Sequence, residues 1–141
     1  MTRVLVGFDG SPSSVTALGH ALDTFDDAEI HVVTVVDPTA GLYAVDGSAP
    51  AYDAGWHEAA GERAEELLES AEEEAAAVGA TITTDWVQGR PSRALIEYAE
   101  DHDVDHIVVG SQGRTGLSRL LLGSVAETVV RRSPVPVTVA R

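Results

Sequence analysis

The chain of 141 residues contains no cysteine and no lysine. Without cysteine there are no disulfides, no thiolate metal centres and no cysteine nucleophile. That absence fits a reducing compartment, and we read the protein as cytoplasmic. Long apolar runs are missing too: nothing approaches the roughly 20 residues of a membrane span. The amino-terminal stretch MTRVLVGFDG has too short an apolar run, and the wrong cleavage context, for a secretory signal. There is no G-x-x-x-x-G-K-[ST], hence no Walker lysine, and no G-x-S-x-G nucleophile turn. All nine basic residues are arginine, against 23 acidic ones, for a formal net charge of −14. Such a surface argues against nonspecific nucleic-acid binding, which depends on cations that neutralise phosphate, and disfavours anionic membranes. Abundant carboxylates without lysine read as adaptation to high salt, where counterions screen self-repulsion. A merely solubilising acidic surface is the alternative.

What remains is patterned. The length suggests one domain across residues 1–141. RVLVGF (Arg3–Phe8) reads as a buried strand. Val15, Leu18, Leu22 and Phe25 follow at helical spacing, with Ser11 as N-cap and Pro12 at the first helical position. The β-branched run Glu29–Asp37 is a second strand. Residues Pro38–Gly55 make a long connection, either a ligand lid or a variable surface loop. The segment Trp56–Gly79 is the clearest helix, with Ala64, Leu67, Leu68, Ala71, Ala75 and Val78 on one face and Gly79 at its stop. Thr81–Gly89 is a third strand, RPSRALIEYAEDHD a short helix, and His106–Gly110 a fourth strand. A last helix starts near Ser124, and Val135–Ala140 is a fifth strand. Alternating strands and helices predict an α/β fold with a mostly parallel sheet covered on both faces.

In such a sheet, ligands bind beyond the strand carboxyl ends where the strand order reverses. Two post-strand loops stand out: DGSPSS after the first strand and the glycine-rich stretch after the fourth. If both border one crevice, the strand order is 3-2-1-4-5, a doubly wound, flavodoxin- or Rossmann-like sandwich. The second loop spaces Gly110, Gly113 and Gly123 as G-x2-G-x9-G, with Ser124 next. Glycines there allow left-handed backbone and close approach by a ligand. Free amides at the start of the helix that follows favour phosphate. The segment therefore has the composition of a phosphate cradle, though a glycine-rich surface loop with a serine N-cap has it too.

The stretch GSQGRTGLSRLLLGSVAETVVRRSPVPVTV closely resembles the carboxyl-terminal signature of the universal stress protein family. VLVGFDGSPSS is similar to that family's first strand and turn, and HVVTVVDP to its second strand. The resemblance is weakest from Thr39 to Trp56, and no position of the glycine signature is missing, which aligns the chain with the family's ATP-binding branch. It implies ATP with magnesium or manganese as ligand. Asp9 and Val35 would lie on the nucleoside side, the latter acting through its backbone. Gly110 would lie by the ribose, and Gly113, Gly123, Ser124 and Val125 along the phosphates. It also points to a homodimer through the fifth strand, which the proposed order puts at a sheet edge.

Several readings stay open. Asp9 is equally a turn former before Gly10. Arg114 and Arg119 can meet phosphate or pair with the acidic surface. His102 and His106, with Asp103 and Asp105, offer a weak two-histidine metal pattern, against which we set a solvated acidic turn. The functional expectation is an ATP-binding regulatory protein. The alternatives are a slow ATPase or self-phosphorylating protein, and a non-catalytic dimeric interaction module. No general base is evident beside the phosphates.

Overall fold

Strands buried on both faces require apolar residues at consecutive positions, and the chain supplies them in short runs. In a computed structural model, which describes residues 1–38, 54–112 and 122–141, these runs, with the more polar and half-exposed edge strand β3 (Thr83–Gln88), form a sheet of β1 (Arg3–Gly7), β2 (Glu29–Val36), β3, β4 (His106–Gly110) and β5 (Val137–Ala140). All neighbouring strands pair in parallel, in the order β3-β2-β1-β4-β5. The connecting helices are α1 (Pro12–Thr24), α2 (Ala54–Ala77), α3 (Pro91–Asp101) and α4 (Ser124–Arg132).

The period-2 alternation of each strand divides the core in two. Val4, Val6, Val32 and Val108 pack with Leu18 of α1 and Leu68 of α2 on one face. Leu5, Val33, Ile107 and Val109 pack with Leu95 of α3 and Val129 of α4 on the other. The expected fold and strand order are thus observed.

The differences lie at element ends. Phe8, Asp37, Gly89 and Val135 fall outside their strands, and α3 begins at Pro91 and ends at Asp101, with Arg90 as its N-cap. On α1, Ser14, Ala17, Leu18 and Ala21 form the buried stripe, while Val15, Leu22 and Phe25 flank it half-buried. Ser11 caps this helix as expected, its hydroxyl accepting from the Ser14 N–H at 3.2 Å. Val78 departs from the predicted α2 stripe and is 68% exposed. The helix ends at Ala77, and the chain turns away through Gly79 at φ +73° while the Ala80 N–H reaches back to the Ala75 carbonyl at 2.9 Å. The long connection after β2 falls, over residues 39–53, outside the described residues. Among the described residues no helix is long and apolar enough to cross a membrane.

Candidate functional site

β1 lies between β2 and β4, so the chain leaves the carboxyl ends of β1 and β4 towards opposite faces of the sheet. A crevice opens there by topology alone. The turn after β1 is built by Asp9, whose Oδ1 accepts from the Ser11 N–H at 2.9 Å, and by Gly10 at φ +81°. After β4, the Ser111 N–H donates to the Ala140 carbonyl of β5, and the Gly123 N–H donates to the Ser111 carbonyl, both at 2.6 Å. The start of α4 is thereby tied to the end of β4.

These elements enclose a cavity of about 210 Å3. Val33, Val35, Leu95 and Val109 give it an apolar wall, and Asp9, Ser11, Ser14 and Ser124 contribute polar groups. Six of the expected site residues line it together: Asp9, Val35, Gly110, Gly123, Ser124 and Val125. Gly113, Arg114 and Arg119 lie outside the described residues.

The two helix starts at the crevice differ in one respect. α1 carries its own serine cap, whereas α4 is preceded by Gly123, and no side chain among the described residues caps it. Its first-turn amides and its positive dipole end are left for another acceptor. Ser124 is the first helical residue and is exposed, so it is not the N-cap.

The reason for two of the glycines also differs from the expectation. Left-handed backbone occurs at Gly10 and Gly79, while Gly123 has an ordinary extended φ of −63° and Gly110 is not left-handed either. Crowding explains both. A Cβ on Gly123 would stand 2.9 Å from the Ser111 carbonyl oxygen, and one on Gly110 would stand 2.6 Å from the Ser13 carbonyl carbon. The close neighbours are the protein's own atoms: backbone at Gly123, and at Gly110 the Ser13 hydroxyl together with the α1 backbone.

Asp9 forms the turn and also lines the crevice. It is the one titratable side chain among the described residues lining the cavity. The shifted groups lie elsewhere. At the amino-terminal end of the sheet, hydrogen bonds from Arg3 and then His31 hold Glu29 below the usual carboxylate range. Burial, and then the charge of Asp85, pushes Tyr98 above the usual phenol value. The two-histidine pattern separates: His102 stacks on Tyr98 with ring centres 3.8 Å apart, and His106 Nε2 lies 2.7 Å from Thr138 Oγ1.

Sequence reasoning missed the wall supplied by α3. Pro91 and Leu95 line the cavity because the loop after β3 opens onto the same sheet end. The strand-end rule, applied to β3 as it was to β1 and β4, would have found them.

The profile of the universal stress protein family matches residues 1–141. Universal stress protein MJ0531 of Methanocaldococcus jannaschii is 36% identical over 146 residues, covering 99% of this chain and 81% of the relative. The solved structure of MJ0577, from the same organism, is 29% identical and superimposes with a TM-score of 0.81, covering 99% of this chain and 94% of that one. A universal stress protein crystallised in complex with cAMP is 31% identical, with a TM-score of 0.61 and coverage of 99% and 96%. Sheet order, crevice and full-length similarity agree, and the chain belongs to the universal stress protein family.

Proposed function

We propose that this chain is a nucleotide-dependent regulatory module that binds ATP in the crevice between β1 and β4. The observation that carries the reading is the start of α4, which no side chain among the described residues caps and which faces a half-apolar cavity at the reversal point of the sheet. Ser124 and Val125 would meet the phosphates with their amides, joined by Gly113 and by Gly123, which sets how near the backbone comes. Asp9 would take the ribose or base through the carboxylate oxygen that its turn leaves over, Val35 would use its backbone, and Gly110 would lie by the ribose. The nucleotide bound by the cAMP-complexed relative supports this ligand class. Magnesium or manganese would accompany the phosphates. Among the described residues no group of three histidine or acidic side chains could hold a metal, and such an ion would take ligands from phosphate oxygens and water, with the Ser124 hydroxyl as a further donor.

We assign a regulatory rather than catalytic role: Asp9 is the one titratable side chain among the described residues lining the cavity, and this reading gives its remaining carboxylate oxygen to the nucleoside, away from the phosphates. We further propose a cytoplasmic homodimer paired along β5, an edge strand that, among the described residues, is bonded to β4 alone.

Calorimetry with ATP, ADP and AMP in the presence of magnesium tests the site. Beside its amide, Ser124 would also offer its hydroxyl to a phosphate oxygen; Ser124→Ala removes that one hydrogen bond to a charged group and should weaken ATP by about 1.5–3 kcal/mol, roughly ten- to a hundredfold. It should affect AMP less. Asp9→Ala should weaken all three nucleotides together. Substitutions at Gly123 are poor probes, because its Cβ would press on the Ser111 carbonyl whether or not ligand binds. A parent protein that binds none of the three would overturn the reading.

A further inference from the structure

The phosphate side of the crevice is held from outside it. Ser13, in the first turn of α1, does not line the cavity, yet its hydroxyl bonds both backbone groups of Gln112, the N–H of the Ser111–Gln112 peptide and the carbonyl of the next. It donates to the Gln112 carbonyl at 2.5 Å and accepts from the Gln112 N–H at 3.2 Å. Ser11 adds a second bond to the same carbonyl at 3.3 Å while its oxygen caps the Ser14 N–H. A hydroxyl has one proton and two lone pairs, so neither serine is over-used. The approach is possible only because residue 110 is glycine: a Cβ there would stand 2.8 Å from the Ser14 nitrogen and closer still to Ser13 Oγ. Gln112 continues directly from Ser111, whose carbonyl receives the Gly123 N–H ahead of α4. One side chain on α1 thus fixes the peptide from which the α4 start is hung.

We propose that Ser13 is a positioning residue for phosphate recognition: it sets the distance between the β4 end and the first-turn amides of α4 without touching the ligand. The inference rests on the ATP reading above. Its consequence is selective, because a loosened Gln112 peptide degrades contacts to phosphates and leaves those to the nucleoside in place.

Two measurements on the parent and Ser13→Ala decide it. The first is calorimetry with magnesium and either ATP or adenosine. The second is amide hydrogen exchange of the nucleotide-free protein, read at Gln112 and Gly123. Loss of the two Ser13 bonds should lower ATP affinity about tenfold and adenosine affinity less than about twofold. Exchange at Gln112 and Gly123 should quicken, while amides in β1 and β2 stay protected. Equal losses for ATP and adenosine, or unchanged exchange at Gln112, would overturn the proposal. If the parent binds neither ligand, the ATP reading falls by itself, and the exchange result alone decides whether Ser13 holds the peptide.

Discussion

At the scale of the residue, three glycines on helices or helix ends separate effects that composition merges. Gly19 lies inside α1, and a methyl group added there would meet nothing within 4 Å. Gly19→Ala should therefore stabilise by about 0.5–1 kcal/mol through helix propensity alone. Gly79 is equally uncrowded but sits at φ +73°, and Gly79→Ala should destabilise by about 1 kcal/mol. At Gly61 a Cβ would stand 2.9 Å from the Trp86 ring, which packs against the core beside α2. Gly61→Ala should lose about 1–3 kcal/mol despite better propensity. Urea midpoints of the three variants check the ranking. Only Gly79 was legible in sequence, as the stop of α2; Gly19 and Gly61 read alike until their neighbours are fixed.

His106 adds a pH dependence. Burial, and secondarily the nearby charge of His20, pushes its imidazole below the ordinary 6.5. The neutral ring, 4.9 Å from Phe25 and bonded to Thr138, is what the fold favours. A group whose pKa is lowered on folding contributes stability above its unfolded value and loses it as pH falls through the folded one. The melting temperature should thus decline from about pH 7 towards about pH 5, and His106→Gln should flatten part of that decline. A pH profile identical in parent and variant would contradict this account.

At the scale of the element, the sheet was legible because four of its strands are short apolar runs between turn residues, and the more polar β3 is framed by α2 and Gly89. The strand order followed from asking which two loops share a crevice. Strand and helix ends were less legible, because backbone pairing rather than side-chain character sets them: Phe8 and Val135 are as apolar as their neighbours but lie beyond the strands. Six of the expected crevice residues were found from loop position and resemblance, whereas the α3 wall and the Ser13 contact depend on packing between elements distant in sequence. β5 carries the prediction at this scale. The carbonyls of Pro136 and Ala140 accept from β4 and the residue after it, so alternation turns the Val137 and Val139 amides to the outer edge. Val139→Pro removes an outer N–H and spares the β4 ladder. Sedimentation should show a dimeric parent and a monomeric variant, and a monomeric parent would remove the proposed pairing.

At the scale of the whole molecule, charge dominates. With 23 acidic and nine basic residues, most carboxylates have no cation to pair with. The Arg93–Glu97 and Arg131–Glu127 pairs are exposed and stabilise little. Repulsion is concentrated on α2, where Glu65, Glu69 and Glu73 follow one another at single-turn spacing. The melting temperature should climb as KCl rises from about 0.1 to about 2 M, and Glu69→Arg should reduce that climb by relieving the repulsion at low salt. A melting temperature indifferent to salt would remove the high-salt reading.

The bond from the Ser111 N–H to the Ala140 carbonyl gives these scales a common point. Ser111 is where the crevice loop leaves β4, and Ala140 is the last residue of the edge strand. If nucleotide binds in the crevice and β5 pairs with a second copy as proposed, this bond is where the two events meet. Thermodynamic reciprocity then fixes the relation: whatever factor self-association adds to nucleotide affinity, nucleotide adds to self-association. Concentration of the protein itself would become an input to the crevice, so that abundance and occupancy are reported together.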